Sequence, residues 1–571
     1  MSAEKLITDH IDIWTSVVQA KSSSGRGSSK KRELYGIKKL RELILELAVR
    51  GKLVPQDPTD EPASVLLERI AAEKAQLVKQ KQIKKPKALP AIEDTEMPFA
   101  LPHGWEWVRL NDLGEWGAGA TPKRGNSEFY GGDIPWFKSG ELTADYISES
   151  EETVTETALV QTSLRYNKVG DVLVAMYGAT IGKTAILDVR ATTNQAVCAC
   201  TPFTGFLNTY LLTLLKAYKP RLVGMGAGGA QPNISREKII ATVIALPPME
   251  EQTRVVAKVD ELMALCDQLE QQTEASLDAH QVLVETLLAT LTNSQDANEL
   301  MANWTRISEH FDTLFTTEQS IDQLKQTILQ LAVMGKLVPQ DPNDEPAAKL
   351  LERIAEEKAQ LVKEKKIKKQ KALPPIADDE KPFELPEGWE WCRLGSLINL
   401  ISGQHLKPSE YSETPLENGN PYITGPAEFG PIYPSFSKYT TEKRALAESG
   451  DVLITCKGAG LGKLNKANQT LAISRQLMSM QSICINKDFL FAIVDSKYDY
   501  FQSKGVGIAI PGISREDVTD LVVALPPITE QSSIISKLKD VFIICDQLKQ
   551  RLRDSQQTQL QLTDAIVERA V

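Results

Sequence analysis

The chain is 571 residues long, too long for one domain, and its 42% hydrophobic and 25% charged residues are ordinary proportions for a globular protein. A net charge of −10 argues against a protein that grips nucleic acid alone over a broad basic face, although local charge or a partner can still supply the phosphate contact. No apolar run is long enough for a membrane span, MSAEKLITDHIDIW has no signal-peptide core, and seven scattered cysteines form neither a disulfide framework nor a CxxC pair, so a cytoplasmic protein is expected.

Taken in chain order, residues 40–54 have helical periodicity and stop at GKLVPQDP, where glycine and proline end the helix. Residues 63–79 form a second helix, with Leu66, Leu67, Ile70 and Leu77 at turn spacing, and run into the basic string KQKQIKKPK over 79–87. A solvated linker accounts for that string; a phosphate or partner contact is the sharper alternative. LPHGWEWVRL follows, in which Trp105 and Trp107 alternate as in a strand with one buried face. Residues 111–233 read as α/β, with strand-like runs such as GDVLVAMYG between glycine-rich turns. TVIALPP then closes on Pro248, where the prolines break the strand and a helix begins. In that helix Val259, Leu262, Cys266, Leu269, Thr273, Ser276, His280, Leu283 and Leu287 recur at 3–4 spacing, the pattern of a coiled coil.

Most of this is written twice. GKLVPQDP returns at 335–342, an offset of 284 (335 minus 51), within a block in which 324–397 repeats 40–113 without a gap. That offset is far beyond the ~20–50 residues of a solenoid unit, so each copy is a domain set in its own right. The junction ISREKIIATVIALPPMEEQ (234–252) returns as ISREDVTDLVVALPPITEQ (513–531), offset by 279, and its helix repeats the seam as Leu538, Val541, Cys545, Leu548, Leu552, Ser555, Gln559, Leu562 and Ile566. The starts match weakly at His10–Ile11–Asp12 and His310–Phe311–Asp312, offset by 300, the excess in the first copy being the Ser/Gly/Lys-rich linker 21–32. Between the shared blocks, 111–233 and 395–512 have diverged, leaving anchors such as GDV at 170–172 and 450–452. Two nearly identical helices on one chain are each other's simplest partner, and two-fold pairing makes them antiparallel. About 40 residues at 1.5 Å each span ~60 Å.

Catalytic signatures are missing. GATIGKT at 178–184 has three residues between its glycines where a phosphate cradle needs four, and its counterpart GAGLGKL lacks the hydroxyl that would hold magnesium, so a tight turn between strands is expected there. The five histidines show no zinc spacing, no GxSxG elbow occurs, and LPPM and LPPI lack the amide or acid and the aromatic of an amino-methyltransferase tetrapeptide. Cys198 and Cys200 alternate in a strand-like run and are read as core side chains, not ligands.

In their duplicated order, the ALPPMEEQ and ALPPITEQ junctions opening heptad helices, the LAVRGKLVPQDP and LAVMGKLVPQDP blocks, and the turns GDVLVAMYGATIGK and GDVLITCKGAGLGK resemble the specificity (S) subunit of type I restriction–modification enzymes, over essentially the full length. The resemblance implies an α/β fold in which two target recognition domains, 96–248 and 381–527, are joined by two long helices in an intramolecular antiparallel coiled coil with pseudo-two-fold symmetry. Residues 1–95 are then an N-terminal helical region, 249–380 a central region made of a spacer helix (249–292) and a helical repeat, and 528–571 a C-terminal spacer helix. Each recognition domain reads one half of an asymmetric bipartite site in double-stranded DNA. The chain itself is non-catalytic and holds no cofactor. S-adenosylmethionine, ATP and Mg belong to two modification and two restriction subunits, which carry adenine-N6 methylation and ATP-dependent cleavage.

Direct readout needs Arg, Lys, Asn and Gln at loop ends that reach base edges. In the first copy these are Thr121, Lys123, Arg124, Lys138, Ser139, Tyr177, Lys183, Gln231 and Asn233; in the second, Gln404, Lys407, Thr424, Lys457, Lys463, Arg475 and Gln476. Asn194–Gln195 and Arg475–Gln476 are matched positions that a structural role explains equally well. A protein–protein scaffold without DNA specificity of its own is the alternative reading of the chain.

Overall fold

The computed structural model describes the chain except residues 1–2, 22–30, 86–87, 227–231, 459, 505–511 and 571. Most of the expected linker 21–32 therefore lies outside the described residues. The flanking strands Val18–Lys21 and Lys31–Leu34 pair antiparallel. Two compact units make up the chain: Met1–Ser276 with Ser555–Val571, and Leu277–Asp554.

The repeated helix occupies Tyr35–Val49 and Glu318–Val333, beginning and ending about five residues earlier than the periodicity over 40–54 predicts. Its end is set by a Schellman motif: Gly51 takes φ +66, the Gly51 N–H reaches Ala48 O and the Lys52 N–H reaches Leu47 O. Gly335 at φ +72 repeats the motif, with Lys336 N–H on Leu331 O. The second helix lies at Ala63–Lys79 and Ala347–Lys363, as expected. Leu66 and Ile70 form its buried face, while Leu67 and Leu77 are only half-buried.

Each unit carries a mixed α/β module whose first and last strands are zipped together. Glu106–Arg109 pairs antiparallel with Val243–Leu246, and Glu390–Arg393 with Val522–Leu525. The buried Arg109 ties this seam to the incoming chain, donating to both Glu96 oxygens and to the carbonyls of Pro90, Ala91 and Ala241; Arg393 does the same with Glu380, Pro374, Pro375 and Asp520. Between the zipped strands, the first module builds the antiparallel order Gly114–Ala118, Val197–Pro202, Val172–Ala175, Thr184–Leu187. The second builds Ile398–Ser402, Leu477–Ser482, Val452–Thr455, Leu464–Lys466 in the same order. The GDV anchors turn the chain into the central strand of each sheet. Gly170 and Gly450 both take φ +88, and the buried Asp171 and Asp451 accept the N–H of Lys168 and Glu448. Burial raises both aspartates above the ordinary carboxylate range. Cys198 and Cys200 are buried in the sheet core, where burial pushes the Cys198 thiol up to about 12.

The two repeated strings touch. Glu251 of ALPPMEEQ accepts from Gln56 of GKLVPQDP (3.1 Å) and from the indole N–H of Trp105 (2.9 Å), while Gln252 accepts from the Leu207 N–H at the start of helix Asn208–Ala217. Glu530 repeats the latch with Gln340 and Trp389, and Gln531 with the Asn486 N–H. Burial raises both glutamates despite the donors that hold them. Removing Glu251 strands the buried Trp105 N–H, so Glu251→Ala is expected to destabilise the first unit by about 2 kcal/mol. Urea unfolding followed by tryptophan fluorescence checks this as a lower midpoint with an unchanged slope.

Long helices follow both modules, Met249–Asn293 and Ile528–Ala570, and each runs from one unit into the other. Their first halves carry the expected seam: Val259, Leu262, Cys266, Leu269, Leu538 and Cys545 are buried, with Val541 and Leu548 partly so. In the later halves the seam moves by one residue. Leu283 and Leu562 are 49% and 47% exposed, whereas Val284, Leu288 and Thr563 are buried and Leu287 and Ile566 half-buried. An α-helix drifts about 20° per heptad against a strict seven-residue repeat, and over four heptads that carries the buried stripe to the neighbouring position.

Within each unit a repeat helix is pinned to segments of both long helices. Arg41 pairs with Asp267 and Glu270, while Tyr35 and Lys39 reach Asp564. In the second unit Lys325 pairs with Asp546, Lys549 with Asp322 and Arg553 with Glu318, while Gln323 reaches Glu285.

Candidate nucleic-acid interface

The same backbone bonds gather the loops at one end of each sheet. In the first unit Ala120 N–H reaches Thr193 O, Asn194 N–H reaches Phe137 O, and Met176 N–H reaches Ala196 O. Gly178 N–H then reaches Pro232 O, and Ile234 N–H reaches Met176 O. In the second, Gln404 N–H reaches Ile473 O, Ser474 N–H reaches Ile423 O, Cys456 N–H reaches Gln476 O, and Ile513 N–H reaches Cys456 O. The glycine turns lie between strands, as their spacing predicts, with Gly178 and Gly182 at φ +60 and +77 and Gly458 and Gly462 at φ +92 and +74. Sequence-distant candidates thus share one surface. Tyr177 bridges Asn233 and the Lys183 ammonium lies 3.4 Å from Gly140 O, beside Lys138 and Ser139. In the second unit Gln404, Thr424, Lys457, Lys463, Arg475 and Gln476 converge, and Lys457 bridges Gly512. Gln231 lies outside the described residues.

The candidates separate by what already holds them. Arg124 pairs with Glu152 and covers the rings of Tyr130 (4.9 Å) and Trp136 (5.0 Å), and Lys138 pairs with Glu151 and Glu152. The Arg124 and Lys138 cations hold the Glu152 carboxyl below its ordinary range. These two cations pack and neutralise. Lys183 and Ser139 are half-buried, and Thr424 gives both its N–H and hydroxyl to Glu428. Exposed at the loop ends are Thr121, Lys123, Tyr177 and Asn233 in the first unit, and Gln404, Lys407, Lys457, Lys463, Arg475 and Gln476 in the second. No ion pair holds Lys123, Lys407, Lys457, Lys463 or Arg475 among the described residues. The first module therefore presents a largely neutral hydrogen-bonding face, the second a face with four unpaired cations.

One residue that sequence reasoning did not select belongs to this surface. Asn194 and Ser474 play the same part: Asn194 Oδ1 accepts the Ala196 N–H, and Ser474 Oγ accepts the Gln476 N–H. Their carbonyls accept Val197 N–H and Leu477 N–H. The register is therefore Gln195 with Arg475 and Ala196 with Gln476, one residue away from matching 194–195 to 475–476. Gln195 is exposed at the place of Arg475. The signal lay in the turn chemistry, a short polar side chain bonding the backbone two residues on.

Among the described residues no group of three or more His, Cys, Asp or Glu is arranged to hold a metal. No described helix is long and apolar enough to cross a membrane.

Comparison with known proteins places this surface in context. The family model described as the type I restriction modification DNA specificity domain matches twice, over residues 102–279 and 386–555. The chain is 44% identical to the specificity subunit of the type I restriction enzyme EcoAI from Escherichia coli, over the full length of both, and 44% identical to that of EcoEI, also over the full length of both. A solved chain of a type I R-M system shares the fold at a TM-score of 0.50 and 20% identity, over 83% of this chain and 99% of that one.

Proposed function

The chain belongs to the type I restriction–modification DNA specificity family, and from that premise we propose that each of its two modules reads a different half of a bipartite site in double-stranded DNA. The observation that carries the proposal is the pair of loop clusters: matching sheets gather unlike side chains at the same end. Identical modules on a two-fold frame read a palindrome, whereas unlike modules read an asymmetric site. Tyr177, Asn233, Gln195, Gln404, Arg475 and Gln476 are the readers we assign, and Lys123, Lys407, Lys457 and Lys463 the backbone phosphate contacts.

In this proposal residues 96–248 and 381–527 are the recognition domains, and the long helices pair as an antiparallel coiled coil that fixes their separation. Support comes from the repeat helices: the first is ion-paired to segments of both long helices, and the second is ion-paired to one and hydrogen-bonded to the other through Gln323 and Glu285. The frame docks two modification and two restriction subunits in the cytoplasm. The chain is non-catalytic; S-adenosylmethionine, ATP and Mg are held by those partners, as is the base-flipping pocket. Selection from a random duplex library by the chain with its modification subunits should enrich one asymmetric bipartite sequence. A scaffold without its own specificity would enrich none.

A further inference from the structure

The two copies differ around one half-buried lysine outside the recognition loops. Lys74 and Lys358 hold the same place on helices Ala63–Lys79 and Ala347–Lys363, and each turns its ammonium toward the start of its module. Lys74 donates to Asn111 O (3.0 Å) and to the Asp112 carboxylate (2.8 Å). The second copy has Ser396 where the first has Asp112. Lys358 donates instead to Gly395 O (2.6 Å), Ile398 O (3.0 Å) and the amide oxygen of the exposed Gln370 (3.1 Å), and no carboxylate pairs with it among the described residues. Burial without a counter-ion lowers Lys358 to about 8.

This lysine lines a cleft of about 510 Å³ shared with Lys368, Lys369, Gln370, Lys371 and Ser396, and no acidic side chain lines it. The helix stops with Lys365 at φ +59 and the Lys366 N–H on Leu361 O, which brings the basic string 368–371 into the lining of the same cleft. Lys366 pairs with Glu364, but Lys368, Lys369 and Lys371 make no ion pair among the described residues. Four lysines contribute to the lining of one cleft, and together they carry more charge than a single carboxylate balances. Lysines bind phosphate as point charges from several directions.

We propose that this cleft is a phosphate site, in which a phosphate oxyanion takes the place the Asp112 carboxylate holds in the first copy. The neutral amide of Gln370 is displaced, the Lys358 ammonium gains its missing counter-ion, and the lysines of 368–371 close over the remaining oxygens. The donor is either a phosphodiester of duplex DNA or a free phosphate. The site stands on its own residues and does not rest on the reading of the recognition loops.

Acylation of the full chain by acetic anhydride, quantified lysine by lysine by mass spectrometry, tests this. Inorganic phosphate at constant ionic strength is expected to slow labelling of Lys358 about tenfold, as a counter-ion raising an amine by about one unit requires. In Ser396→Asp the carboxylate is supplied internally, so Lys358 should label slowly from the start and phosphate should change nothing. Lys369→Gln combined with Lys371→Gln, on exposed positions, should weaken phosphate protection several-fold. A duplex of random sequence that protects at lower concentration than inorganic phosphate identifies the DNA backbone as donor; protection by phosphate alone identifies a free anion. Lys358 labelling that neither probe slows, protection that persists in Ser396→Asp, or protection that the double variant leaves unchanged overturns the site, as does protection given only by a protein partner. None of these outcomes depends on sequence-specific readout, so this proposal and the recognition proposal fail separately.

Discussion

Replacing residues 111–233 with the corresponding segment of another family member is expected to change one half of the methylated sequence completely and leave the other half and the spacing as they were. The expectation follows from how the module is closed. Its first and last strands, Glu106–Arg109 and Val243–Leu246, lie outside the exchanged segment and pair with each other. The latch from Glu251 to Gln56 and Trp105 is likewise untouched. Several side-chain ties cross the cut: Lys74 to Asp112, Trp116 to the Leu110 carbonyl, Arg221 to the Val243 carbonyl, Lys238 to the Met225 carbonyl, and Glu73 and Gln252 to the N–H groups of Thr204 and Leu207. The donor segment should therefore keep an acid at 112 and the donors at 116 and 221, while the ties of Glu73, Lys238 and Gln252 need only backbone groups. Mapping methylated adenines after reconstitution with modification subunits reads the result. A change in both halves would show that the modules do not read separately.

The same closure explains what could be read from the sequence. The frame was legible because it is written twice. Residues matched at fixed offsets need the same partners, and Glu251 with Gln56 and Glu530 with Gln340 are such partners. What the repeat could not give is direction and charge state. Arg124 and Lys138 have the residue types of DNA contacts, yet Glu152, about 14 to 28 residues downstream, neutralises both, and no local pattern announces that pairing. Leu283 and Leu562 follow the heptad on paper but face outward, because the helix turns by 3.6 residues and not 3.5. The shift to Gln195 at the Arg475 position was hidden for a different reason: Asn194 and Ser474 are unlike residues that make the same turn.

A one-heptad insertion made in both long helices, after Ser276 and after Asp554, is expected to lengthen the spacer between half-sites while both half-sites stay unchanged. These positions fall at the boundary between the two compact units. The ion pairs of Arg41 with Asp267 and of Lys39 with Asp564 stay within one unit, and the ion pair of Lys325 with Asp546 and the hydrogen bond from Gln323 to Glu285 within the other. Seven residues add about 10 Å of helix, which corresponds to at most about three base pairs at 3.4 Å each. The buried stripe returns within about 20° of its original direction after seven residues, so the seam is preserved, whereas a five-residue insertion would rotate it by about 140°. The five-residue variant should therefore abolish methylation, while the heptad variant methylates a new site with the old halves. An unchanged spacer in the heptad variant would separate the helices from spacing altogether and leave them only the docking of partner subunits.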